Sequence, residues 1–179
     1  MTSNRKLKLW ELKRVDKETF LSQNKVDIII ILDNIRSLNN VGSFFRTCDA
    51  FNVKKIYLCG ITPHPPHREI NKTAIGATQT VNWEYRESAL TLTKELKAKG
   101  NSIISIEQAS KTKNIQELSN FINKPLVLVF GNEVQGVDQS IVDLSHEVME
   151  IPQYGTKHSL NVSVCAGNVI WEATKNRNK

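Results

Sequence analysis

Apolar residues in this chain gather into short continuous runs separated by stretches of helical period. The runs VDIIIIL (26–32), KKIYLC (54–59), TVNW (80–83), SIISI (102–106), PLVLVF (125–130) and EVMEI (147–151) are apolar and rich in β-branched residues. A strand without polar alternation must be covered on both faces, as in a parallel sheet sandwiched by helices. Residues 41–51, 86–99, 115–121, 138–144 and 159–174 supply the helical candidates. This alternation of strand and helix predicts an α/β fold with a mainly parallel central sheet flanked by helices.

The last helical candidate has an unusual face. Drawn as a helix, KHSLNVSVCAGNVIWEA (157–173) carries Ser159, Ser163, Ala166 and Gly167 along one side and Asn161, Cys165 and Asn168 along the next. That is neither an oily stripe nor a charged one. Small residues let another backbone come close, so something is expected to approach this helix tightly. Leu160, Val164, Val169 and Trp171 remain for core or subunit packing.

With 179 residues, 40% of them hydrophobic, the chain has material for one well-packed domain. Its longest oily run, 28–32, is too short to cross a bilayer, and the first twenty residues lack the apolar core of a signal peptide. Neither membrane insertion nor export is expected, and the expected location is cytoplasmic. Cys48, Cys59 and Cys165 are odd in number, show no CxxC spacing and lie in apolar stretches, so they read as reduced core thiols. A net charge of +6 favours a polyanionic partner, nucleic acid first. Residues 1–25 form a basic extension with apolar Leu7, Trp10 and Leu12. It is expected to dock through Trp10 and to offer an RNA-facing arm.

In an open α/β sheet, ligands bind beyond the carboxyl ends of the strands. The first strand is followed by NNVGSFFR with Asn40, Gly42 and Arg46, and the fifth by GNEVQG, in which Gly131 and Gly136 frame Glu133. The sixth is followed by IPQYGTKHSLNVS, which runs into the last helix. No GxGxxG follows a strand and no GxxxxGK[ST] occurs, which argues against a dinucleotide fold or a P-loop. His64 and His67 have metal-compatible spacing but no completing Cys or carboxylate pair, and the prolines between them favour a turn; no metal is expected. Each loop alone has an ordinary reading: Asn40 or Ser159 as a helix cap, Arg46 as a surface cation, Glu133 as a solvated acid. Their coincidence at three strand ends of one sheet is harder to dismiss.

NNVGSFFR, LVLVFGNEVQG and IPQYGTKHSLNVSVCAG, in that order, resemble the three motifs of the SpoU (TrmH-like) branch of the SPOUT superfamily. Its members are RNA ribose 2'-O-methyltransferases that use S-adenosylmethionine. TPHPPHREINKTAIGA is similar to the family's Pro-rich loop, and the resemblance runs from about residue 26 to 172. It implies a methyltransferase domain over 26–179 with a C-terminal trefoil knot in about 126–174, the last helix being threaded through a preceding loop, a rare topology. It also implies a homodimer in which the second subunit completes each active site. The cofactor would lie in the knot, held largely by backbone groups of Val129, Phe130, Gly131, Asn132, Ile151, Pro152 and Leu160, with Ser159 organising the turn.

The implied reaction is in-line attack of a ribose 2'-hydroxyl on the sulfonium methyl, which requires the hydroxyl to be positioned and its proton loss favoured. The implied catalytic set is Arg46, Asn40, Glu133, Ser159 and Asn161. A guanidinium stays protonated, so Arg46 would hold the neighbouring phosphate and stabilise alkoxide character. Asn40 would support that geometry, Glu133 would fix the second motif's loop or Arg46, and Ser159 and Asn161 would hold the knot and substrate side. His158 flanks the third motif as a structural or RNA-contacting residue. No metal is implied, because the sulfonium is already the electrophile. The expected partner is tRNA, a compact RNA that a minimal dimer without a second RNA-binding domain can grip. Ribosomal RNA, or an RNA-binding homologue without catalysis, are the alternatives.

Overall fold

Successive side chains of a strand point to opposite faces, so the isoleucine run at 28–31 demands apolar cover above and below. The computed structural model describes residues 4–121, 123–175 and 177; the first three residues of the basic extension and Asn176, Asn178 and Lys179 of the tail lie outside them. The strands are β1 (Val26–Asp33), β2 (Val53–Cys59), β3 (Trp83–Arg86), β4 (Ser102–Ile106), β5 (Lys113–Asn114), β6 (Leu126–Phe130) and β7 (Glu147–Glu150). They form one sheet in the order β3-β2-β1-β6-β4-β7-β5, and every pairing is parallel.

The helices are α1 (Lys17–Ser22), α2 (Leu38–Ala50), α3 (Arg68–Ala74), α4 (Ala89–Ala98), α5 (Gln139–Leu144) and α6 (Val162–Thr174). Ile28, Ile30, Leu32, Leu128 and Phe130 pack with Phe44 and Phe45 of α2, Ile70 of α3 and Ala166 and Ile170 of α6. Ile29, Ile31, Val127 and Val129 face the other way, against Leu92 and Leu96 of α4 and Ile141 of α5. The expected three layers are therefore present. Among the described residues no helix is long and apolar enough to cross a membrane.

Several local expectations need correction. Helix α2 begins at Leu38 rather than 41, because Ser37 is its cap and accepts from the Asn40 backbone N–H at 3.3 Å. Helix α6 begins at Val162, capped by Asn161 rather than Ser159. The strand expected at 80–83 lies at Trp83–Arg86, and residues 115–121 form a 3-10 helix. Strand β5 and helix α3 were not anticipated. Helix α3 is capped by His67, whose Nδ1 accepts from Glu69 N–H at 3.2 Å, and it packs on α2 at Gly42, where a Cβ would collide with the Ile70 carbonyl and the Thr73 side chain.

Trp10 does not dock: it is 77% exposed. Its turn, Leu9–Glu11, is held locally, with Glu11 accepting from the Lys8 backbone and from Arg5. Contact with the domain is made further on, where Lys17 Nζ donates to Gln79 Oε1 and Gln23 Nε2 donates to Asn52 Oδ1, each at 3.1 Å.

Candidate functional site

Beyond the carboxyl ends of β1, β6 and β7 the three unusual loops meet. Residues 131–136 fold back on themselves: Asn132 and Gly136 exchange backbone hydrogen bonds, and Asn132 Oδ1 accepts from the N–H groups of Val134 and Gln135 at 2.9 and 3.0 Å. A Cβ on Gly131 would run into the backbone of Gly136 and Val137, so this tight return requires glycine. The return throws Glu133 toward the start of α2. Its carboxylate accepts from the backbone N–H groups of Arg36 (2.9 Å) and Ser37 (3.1 Å) and from Asn40 Nδ2 (2.9 Å). Asn40 Oδ1 in turn accepts from Asn161 Nδ2 at 3.2 Å. The other end of the Asn161 amide caps α6, accepting from Ser163 N–H at 2.9 Å and Ser163 Oγ at 2.7 Å.

Glu133, Asn40 and Asn161 thus form one hydrogen-bonded chain across all three loops. Burial acts to raise the Glu133 carboxyl, but the donors from Arg36, Asn40 and Ser37 outweigh it and hold the group below the ordinary carboxylate range. Because the folded value is the lower one, this tie is at full strength above the unfolded carboxylate value and weakens as pH falls through the folded one.

Next to the chain lies a cavity of about 500 Å³ over the ends of β4, β6 and β7, a size common for small-molecule sites. Phe130, Gly131, Asn132, Ile151, Ser159 and Leu160 line it, as do Glu133 and Asn161. Asn40 is 8% exposed and lies behind the lining. Val129 and Pro152 are outside the lining, and the Val129 side chain belongs to the opposite layer with α4 and α5. Cys165 also lines the cavity; burial first and nearby Glu107 second push its thiol up to about 11, so it stays protonated near neutrality.

Ile106, Glu107 and Gln108, at the end of β4, complete the floor and escaped the reading of the sequence. The stretch EQASK after that strand has none of the glycines that marked the other loops. Only the strand order, with β4 between β6 and β7, brings it to the site.

Arg46 is not brought to this cavity. It follows Asn40 by six residues on α2, which is about 240° of rotation and about 9 Å along the axis, and its side of the helix is exposed. It lines a second cavity, of about 530 Å³, with Lys13, Arg14, Val15, Phe20 and Gln23 of the extension and with Asp49, Ala50 and Asn52. Within one chain, Glu133 therefore fixes the start of α2 and not Arg46.

The small stripe of α6 also divides. Ala166 is fully buried, but a Cβ on Gly167 would meet open space, beside Val164 and Trp171, which are 54% and 56% exposed. Close approach within the chain accounts for the first and not the second. Among the described residues, no three His, Cys, Asp or Glu side chains gather at metal-holding distances. His64 stacks on Trp83, and His67 caps α3.

Sequence and structure comparisons extend this picture. The chain is 34% identical over 163 residues to the tRNA (guanosine(18)-2'-O)-methyltransferase of Aquifex aeolicus, a match covering 88% of this chain and 73% of that protein. The crystal structure of the A. aeolicus TrmH/SpoU tRNA modifying enzyme superposes with a TM-score of 0.79 at 30% identity, over 90% of this chain and 81% of that one. An AdoMet-bound rRNA methyltransferase from Sinorhizobium meliloti shares the fold at 24% identity and a TM-score of 0.79, over 85% of this chain and 57% of that one. Residues 27–171 match the SpoU rRNA Methylase family, and the chain belongs to it.

Proposed function

We propose that the protein transfers a methyl group from S-adenosylmethionine to a ribose 2'-hydroxyl of RNA, with tRNA as the substrate class ahead of rRNA. The observation that carries this reading is the Glu133–Asn40–Asn161 chain, which ties three separate strand-end loops around one cavity. The name of the A. aeolicus relative supports tRNA, and the basic surface suits either RNA. The cavity suits the cofactor in size, in the bare backbone at Gly131, and in charge, since among the described residues its lining holds three carboxylates and no lysine or arginine. The cofactor would be held by Phe130, Gly131, Asn132, Ile151, Ser159 and Leu160.

When bound, S-adenosylmethionine supplies a methyl on a positively charged sulfur as the electrophile. Arg46 would hold a phosphate next to the target ribose and stabilise negative charge as the 2'-hydroxyl loses its proton. Asn40, Glu133 and Asn161 act as positioning residues, keeping the loops and the start of α2 in register, and Ser159 would face the bound molecules. We further read the chain as a homodimer, because Arg46 and the cavity lie on different parts of one protomer and α6 exposes Val164, Gly167 and Trp171 together. A trefoil knot within 126–174, a catalytic domain over 26–179 and cytoplasmic action belong to the same reading. So does an RNA-facing extension over 1–25, whose Lys13 and Arg14 share the Arg46 cavity.

The test is transfer of labelled methyl from S-adenosylmethionine to bulk tRNA and rRNA, followed by mass-spectrometric identification of the nucleoside. We expect 2'-O-methylated ribose in tRNA. Label appearing on a base, or no label in either RNA while the protein binds the cofactor, would refute the reading.

A further inference from the structure

The floor of the cofactor cavity is contributed by a strand end outside the three motif loops. Because β4 lies between β6 and β7, Glu107 sits between the loop that starts at Gly131 and the loop that starts at Ile151. Its carboxylate accepts from the N–H groups of Gln108 and Val137 at 2.8 and 2.9 Å, and it lies where a Cβ on Gly136 would be. Gln108 Nε2 donates to the His158 carbonyl at 2.7 Å, so the same short segment reaches both loops. At the end of β7, Glu150 accepts from Thr112 Oγ1 at 2.7 Å. Neither Glu107 nor Glu150 forms an ion pair with a described residue.

The sign of this lining runs against the rest of the molecule. The chain has 24 Lys and Arg against 18 Asp and Glu, yet the cavity holds Glu107, Glu133 and Glu150, with His158 as the only side chain among the described residues of the lining able to carry positive charge. Glu133 is already engaged by three donors at the start of α2. Glu107, with one donor on each oxygen, and Glu150, with one donor in all, keep acceptor capacity to act on what the cavity holds. Charges in a site partly closed to water interact more strongly than in bulk solvent.

S-adenosylmethionine and its product, S-adenosylhomocysteine, differ by one methyl group and one positive charge at sulfur; their other charges are the same. We propose that Glu107, assisted by Glu150, makes the cavity prefer the positively charged methyl donor to the product, so that loss of the sulfonium charge on transfer itself weakens the grip on the product. This rests on the cavity being the S-adenosylmethionine site.

The experiment is calorimetric titration of the full chain and of its Glu107→Gln and Glu150→Gln variants with three probes: S-adenosylmethionine, S-adenosylhomocysteine and sinefungin, in which an amine-bearing carbon replaces the methylated sulfur. We expect the unmodified protein to bind both cationic probes more tightly than the product. Glu107→Gln should weaken the cationic probes about tenfold and the product less than about twofold, and Glu150→Gln should act in the same direction with smaller effect. Thermal melts of each variant exclude unfolding, and Glu150→Gln carries the test if Glu107→Gln does not fold. Bound ligands with an unchanged donor-to-product ratio in the folded variants would overturn the role of the carboxylates alone. No binding of any probe by the unmodified protein would instead overturn the cofactor reading of the cavity, and this inference with it.

Discussion

Replacing Arg46 by alanine should lower turnover by about 10²–10³, the range seen when one donor to a developing oxyanion is removed, while the dissociation constant for S-adenosylmethionine stays within about twofold of its original value. The division follows from geometry. Arg46 is outside the lining of the cavity proposed for the cofactor and on the exposed side of α2, so its removal leaves the cavity walls in place. A 2'-hydroxyl is a weak nucleophile, and charge on its oxygen grows only as the new bond forms, so a fixed cation is worth most in the transition state. Lysine at 46 should restore only part of the rate, because an ammonium lacks the planar fork that grips a phosphate through two hydrogen bonds. Single-turnover kinetics beside equilibrium binding decide the matter; near-normal turnover of Arg46→Ala would remove it from the chemistry.

Gly131→Ala should fail in the opposite way, weakening cofactor binding roughly five- to 150-fold, the equivalent of the 1–3 kcal/mol that overpacking of a tight site costs. The added methyl would meet the backbone of Gly136 and Val137, which cannot rotate aside as a flexible side chain can. Relief requires residues 131–136 to open, and that moves Glu133 away from the N–H groups of Arg36 and Ser37 and from the Asn40 amide. Both the cavity wall and the tie between loops would suffer. Titration of S-adenosylmethionine into the variant, beside its melting curve, checks this; unchanged affinity would mean that residues 131–136 do not shape the cofactor site.

The strands at 26–33, 102–106 and 126–130 were legible in the sequence because burial on both faces leaves a continuous apolar run. Strand β3 was misplaced by three residues. It pairs with β2 alone, at the sheet edge, and its residues WEYR are partly exposed, so it has no such run to display. Helix α3, REINKTA, buries only Ile70 and Ala74, too little to leave a periodic trace. At the site, the legible residues were those in glycine- or asparagine-rich loops whose form departs from ordinary connections. Glu107 was not, since an acid after a buried strand looks like any other until the strand order is known. The hydrogen-bonded chain from Glu133 to Asn161 was likewise hidden, because it depends on which loops the fold brings together.

Asn40 and Arg46 face different sides of α2. If Arg46 serves the cavity of its neighbour, a subunit lacking that guanidinium and a subunit with a narrowed cavity are each impaired in their own homodimers when S-adenosylmethionine is scarce, yet paired together they contain one intact combination. Co-expressing Arg46→Ala with Gly131→Ala should then give more activity at low S-adenosylmethionine than the two variants summed, in proportion to the mixed species formed. An arginine serving its own chain would allow no such rescue, so genetic complementation between two impaired alleles reports the orientation of a side chain.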